Sequence, residues 1–88
     1  MIFKLRFSDK FEKQISKLDR QTQVTLLRWL VNRIDGTENP RLHGKALTGD
    51  KRGLWRYRVG NYRVICEIQD EQLIVLALEV GHRREIYK

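Results

Sequence analysis

The stretch "LWRYRVGNYRVICEI", residues 54–68, decides the fold. Two alternating runs flank Gly60-Asn61, a pair that suits a two-residue type II′ hairpin turn with glycine in the first central position. Side chains along a strand alternate between faces. Trp55, Tyr57 and Val59 therefore share one face, and Leu54, Arg56 and Arg58 the other. In the second run Tyr62, Val64, Cys66 and Ile68 share a face, and Arg63, Ile65 and Glu67 oppose them. A two-residue turn sets Val59 against Tyr62 and Arg58 against Arg63. The aromatic and aliphatic sets then coincide on a core side, and Arg56, Arg58 and Arg63 gather on the other.

Downstream, Asp70-Glu71 reads as a second tight turn. "QLIVLALEVG", residues 72–81, is apolar enough for a central buried strand. Upstream, "MIFKLRFS" alternates as a half-buried strand, with Phe3, Leu5 and Phe7 on one side. Ser8 and Asp19 are N-cap residues for two helices. The first carries Phe11, Ile15 and Leu18. The second carries a stripe of Val24, Leu27, Val31 and Ile34, widened by Leu26, Trp29 and Leu30, and Gly36 ends it. The short break between them predicts an antiparallel helix hairpin. Residues 37–53, with Pro40 and three glycines, read as a loop that delivers Arg41, Lys45, Lys51 and Arg52. The order is βααβββ. It predicts a single α+β domain over residues 1–88, with a four-stranded antiparallel sheet and the helix hairpin packed on one face.

Composition narrows the function. In 88 residues, 18 Lys+Arg against 11 Asp+Glu give a net charge of +7, so the chain seeks a polyanion. No apolar run approaches the ~18 residues of a membrane span, and the N-terminus has no secretory pattern, so a cytoplasmic protein without a membrane partner is expected. The lone Cys66 cannot form an internal disulfide and reads as a core residue in a reducing compartment. One Cys and two His make a structural metal site unexpected.

Three arginines on one sheet face make a phosphate site, because a guanidinium fork matches phosphate oxygens bidentately. The bland alternative is an ordinary solvated basic face. The close "GHRREIYK", residues 81–88, adds His82, Arg83, Arg84 and Tyr87 at the end of the last strand. Cations, one titratable imidazole and one aromatic ring are what RNA cleavage through a neighbouring 2′-hydroxyl requires: proton transfer, stabilisation of a developing dianion, and a ring to stack on a splayed base.

The chain resembles the RelE/ParE superfamily of toxins from toxin–antitoxin pairs, most like its RelE-type mRNA interferase branch. "FSDKFEKQISKL", "HGKALTGDKRGLWRYRVGNYRV", "IQDEQLIVLALEVG" and "GHRREIYK" carry the resemblance and span nearly the whole chain. It implies a ribosome-dependent endoribonuclease that cleaves mRNA in the A site by metal-independent attack of the substrate's 2′-hydroxyl, with no cofactor. It implies as partners a RelB-like antitoxin, the 70S ribosome and mRNA, and operator DNA only through the antitoxin complex. By resemblance Arg56 stands at a catalytic basic position that is commonly lysine. Arg63 matches a phosphate-binding arginine. Arg83 matches the arginine linked to transition-state charge and leaving-group protonation, and Tyr87 the tyrosine that stacks on the base. His82 stands where some members have lysine.

Two departures bear on mechanism. Leu54 occupies a position that is lysine in some RelE proteins. Arg56 is a poor general base, since its pKa exceeds about 12. Either His82 takes the proton-transfer role, or the site works by electrostatic stabilisation and positioning. Arg41, Lys45, Lys51, Arg52, Arg58 and Arg84 are the expected RNA- and ribosome-binding cations, whereas His43 is expected to be structural or exposed. The competing reading is a ParE-like toxin that inhibits DNA gyrase without cleaving RNA. A blander one is a degenerate toxin that binds only antitoxin and DNA.

Overall fold

The structure, a computed structural model, describes residues 1–83. Strand β1 (Lys4–Phe7) leads into helices α1 (Asp9–Ser16) and α2 (Arg20–Arg33). A two-residue strand β2 (Lys45–Ala46) and a 3-10 turn (Gly49–Lys51) follow, then β3 (Trp55–Val59), β4 (Tyr62–Gln69) and β5 (Ile74–His82).

The α+β architecture stands as the sequence predicts, but the sheet differs in two respects. It has five strands, in the order β1-β5-β4-β3-β2, and it is mixed, because β1 runs parallel to β5. The helices carry the chain back over the sheet, so the first strand enters beside the last in the same direction. Alternation marks β1 as half-buried but says nothing of its direction. β2 forms inside the expected loop, and two residues carry no alternation to reveal it.

The helix starts follow from their caps. Ser8 Oγ accepts from Phe11 N at 3.0 Å and donates to the Leu78 carbonyl at 3.0 Å, so one hydroxyl both starts α1 and ties it to β5. Asp19 accepts from the Thr22 hydroxyl through Oδ1 and from Thr22 N through Oδ2 at 3.1 Å, and those hydrogen bonds hold its carboxyl below the usual aspartate value. Gln14 Oε1 accepts from Val80 N at 2.8 Å, filling a backbone donor of β5 beyond the end of β1.

The core lies between the helices and one sheet face. Phe11, Ile15, Leu26, Leu30 and Ile34 meet Tyr57, Val59, Val64, Cys66, Val75, Ala77 and Val80 there. The buried stripe of α2 is Leu26 and Leu30, continued by its C-cap Ile34. Val24 and Val31, expected inside, are exposed, because the wetter edge of a wide apolar arc turned outward. Burial pushes the Cys66 thiol far above its ordinary value, in keeping with an inert core cysteine. Among the described residues no helix is long and apolar enough to cross a membrane.

The β3–β4 hairpin has the expected register: Val59 opposes Tyr62 and Arg58 opposes Arg63. Gly60 takes the positive φ of 59° that a type II′ turn demands. The expected Asp70-Glu71 turn is longer. It spans the four residues between Gln69 and Ile74 and closes with Leu73 at φ 56°. The side chain of Leu73 packs against the core, which holds that unusual backbone in place.

Candidate active site

Register across β2, β3, β4 and β5 builds two rows of side chains on the face away from the helices. Lys45 opposes Arg56, Arg56 opposes Ile65, and Ile65 opposes Glu79. In the next row Arg58 opposes Arg63, and Arg63 opposes Gly81. The predicted convergence of Arg56, Arg58 and Arg63 is therefore real, and Lys45 joins it from the edge strand.

These cations are not equally exposed. Arg58 is exposed and Arg56 half-buried, but Arg63 retains 9% of its surface. Alternation put Arg63 on this face but not at this depth; it is buried there, opposite Gly81 in the ladder. Ile65 is fully buried, yet it stands apart from the main core cluster. It forms an apolar floor between Arg56 and Glu79. Charges over an apolar floor act through a lower effective dielectric than charges in water.

Glu79 is the feature sequence reasoning missed. Its Oε1 lies 3.1 Å from Lys10 Nζ and its Oε2 lies 3.3 Å from Lys51 Nζ, with 24% of its side chain exposed. Burial raises its pKa, but the hydrogen bonds and charges of Lys10 and Lys51 together outweigh burial and leave it lowered. The available signal was a lone carboxylate inside the apolar run of β5.

The remaining predicted residues divide. Lys51 reaches the face through Glu79, and Arg52 is exposed one residue further on. The Arg83 amide donates to the Asn61 carbonyl at 2.9 Å, which ties the chain just past β5 to the β3–β4 turn. His82 does not join the arginines. It opposes Tyr62 in the ladder and meets its ring edge-on at 5.5 Å, on the helix side of the sheet. Strand parity is the reason: two residues beyond Val80 it must share that residue's core-facing side.

Arg41 is also elsewhere. It pairs with both carboxylate oxygens of Asp70 at 2.8 Å, beyond the opposite end of β4, and that pairing lowers the Asp70 pKa and raises that of Arg41. Arg41 fastens the loop rather than serving the arginine face. The same loop is held by Tyr57, whose hydroxyl donates to the Pro40 carbonyl at 2.6 Å, and by Trp55, whose Nε1 donates to the His43 carbonyl at 2.7 Å. Gly44, at φ 85°, lies so close to the Arg56 carbonyl and the Trp55 ring that a Cβ would collide with both. His43 contacts Trp29 edge-on and has a structural place, as expected. Arg84 and Tyr87 lie outside the described residues.

Fold and face together define a small α+β protein with a group of cations on one sheet face. A family model described as the ParE toxin of type II toxin–antitoxin systems, parDE, matches residues 5–87. Toxin RelG of Mycobacterium tuberculosis (strain ATCC 25618 / H37Rv) is 28% identical over 88 residues, which is 100% of this chain and 99% of that protein. A chain of the toxin–antitoxin complex RelBE2 from Mycobacterium tuberculosis superposes with a TM-score of 0.85 at 25% identity, covering 94% of this chain and 100% of that one. The isolated E. coli RelE toxin superposes with a TM-score of 0.72 at 26% identity, covering 97% of this chain and 90% of that one. The chain belongs to the ParE toxin family, within the RelE/ParE superfamily, and is a toxin of the type II toxin–antitoxin class.

Proposed function

We propose that this toxin is a ribosome-dependent endoribonuclease that cuts mRNA in the A site and so stops translation in the cytoplasm. The observation that carries it is the double row on the open face, where Arg56, Arg58 and Arg63 converge above the buried Ile65. In the reaction the 2′-hydroxyl of one nucleotide gives up its proton to a base or to water as its oxygen bonds to the adjacent phosphorus. The bond from phosphorus to the 5′-oxygen of the next nucleotide breaks, and that oxygen takes a proton. Charge builds on the non-bridging oxygens between these events. Arg56 and Arg63 supply fixed donors for that charge, and their guanidiniums need no reorganisation as it develops. Arg83, tied by its backbone to the hairpin turn, is the proposed third cation at the leaving oxygen. Tyr87 is proposed to stack on the flanking base. His82 faces the helix side and is the weaker candidate for proton transfer.

The proposed partner that neutralises it is a RelB-like antitoxin, since solved relatives include toxin–antitoxin complexes from Mycobacterium tuberculosis and E. coli. Operator DNA is then reached only through that complex. The description of the matching family model favours one second reading, a ParE-like toxin that acts on DNA gyrase.

The test is cleavage of a defined mRNA, free and on ribosomes with an empty A site, beside a gyrase supercoiling assay. Cutting on ribosomes alone, with supercoiling untouched, supports the ribonuclease. Blocked supercoiling with intact mRNA replaces it with the gyrase reading.

A further inference from the structure

Residues 48–53 form a tip with little to hold it. No residue of its 3-10 turn is buried, the Thr48 cap makes no side-chain hydrogen bond, and Gly49 and Gly53 flank it at φ 66° and 96°. Lys51 is the one residue of this tip that is not fully exposed, and its Nζ reaches Glu79. Glu79 stands in the row of Arg56 and Ile65. The ion pair therefore sets an ammonium beside the row of Arg56 and Ile65.

The chemistry of that group differs from its neighbours. A guanidinium keeps its charge at any accessible pH and donates in a fixed plane. An ammonium is a compact charge with three rotatable donors, able to turn toward an oxygen whose charge is growing. Glu79 is not a base in waiting, because both its oxygens are already engaged by lysines.

We propose that Lys51 contacts the substrate phosphate and that Glu79 is its positioning residue. This rests on the ribonuclease reading above. Glu79 holds the ammonium beside the row while leaving two of its three donors for phosphate oxygens. The Lys10 branch balances the carboxylate, so that Glu79 adds no net negative charge to the face.

The experiment compares Lys51→Met, Glu79→Gln, the double variant and Lys10→Ala with wild type. Single-turnover cleavage on programmed ribosomes and the salt dependence of binding to a single-stranded RNA oligonucleotide are both measured. Lys51→Met should slow cleavage by about 10–100-fold, within the range for loss of one transition-state donor or a misplaced group. It should also lower the slope of log K against log salt by about 0.7, the value for one phosphate contact on a single strand. Glu79→Gln should slow cleavage less than Lys51→Met, and the double variant should be no slower than Lys51→Met alone. Lys10→Ala should slow cleavage less than Glu79→Gln, because it leaves the Lys51 pair intact. Wild-type speed in Lys51→Met, or multiplicative effects in the double variant, would overturn the proposal. If wild type itself cuts nothing, the ribonuclease reading has failed. The salt slope then decides the phosphate contact by itself, and an unchanged slope in Lys51→Met rejects it.

Discussion

Arg58 and Arg63 face each other across one ladder, yet their surroundings give them different roles. Like charges directly opposite destabilise a sheet by roughly 0.2–1 kcal/mol. Arg58, exposed, spreads its charge into water, whereas Arg63 keeps only 9% of its surface. Arg58→Ala should leave the thermal midpoint unchanged or slightly raised and weaken RNA binding. Arg63→Ala should abolish cleavage and also lower stability by about 1–3 kcal/mol, since the packed stem of a buried arginine is lost with it. Thermal melts beside cleavage assays separate the two. Equal melts for both variants would mean that the burial of Arg63 carries no stability. Period-two alternation located both residues from sequence alone. It could not reveal that Arg63, opposite Gly81 of β5, keeps so little of its surface. The same parity placed Arg56 correctly and, applied past Val80, would have turned His82 toward the helices.

The Glu79 pairing belongs to the same scale and carries a pH signature. Its folded pKa lies below the ordinary glutamate value of 4.5, so the folded state favours the ionised form. The resulting stability is fully present above about pH 4.5 and is lost as pH falls through the folded pKa. Glu79→Gln should therefore flatten the acid limb of the stability profile without steepening the neutral region. Asp19 and Asp70 are lowered in the same sense, so some acid slope should persist in the variant. An unchanged acid limb in denaturant titrations would show that the two lysine contacts do not stabilise the fold.

Among the elements, α2 tests how the core was assigned. Leu30 is wholly buried, while its neighbour Val31 is 49% exposed. Leu30→Ala should cost about 2–5 kcal/mol, and Val31→Ala should stay within about 0.5 kcal/mol. Denaturant unfolding of the pair reads the difference, and comparable losses would put the helix in the wrong rotation. Sequence gave the existence and caps of this helix but chose an arc too wide, because nearly every apolar position of α2 fits one stripe or another. The hairpin of β3 and β4 was legible in full: Gly60 allows one turn type, and the turn fixes the register. β2 was not legible. Its pairing depends on a loop fastened through Tyr57, Trp55 and Gly44, contacts made across the fold rather than along the chain.

At the scale of the whole molecule, the net charge of +7 includes three arginines, Arg56, Arg58 and Arg63, gathered on the sheet face away from the helices. The helices close the other face over the core. Family membership fixes the class of toxin. The most direct measurement is end-group analysis of an mRNA cut on ribosomes with an empty A site. Cleavage leaving a 2′,3′-cyclic phosphate upstream and a 5′-hydroxyl downstream, lost in Arg63→Ala, is the predicted result. Products ending in a free 3′-hydroxyl and a 5′-phosphate, or cutting that survives Arg63→Ala, would contradict 2′-hydroxyl attack at the arginine face.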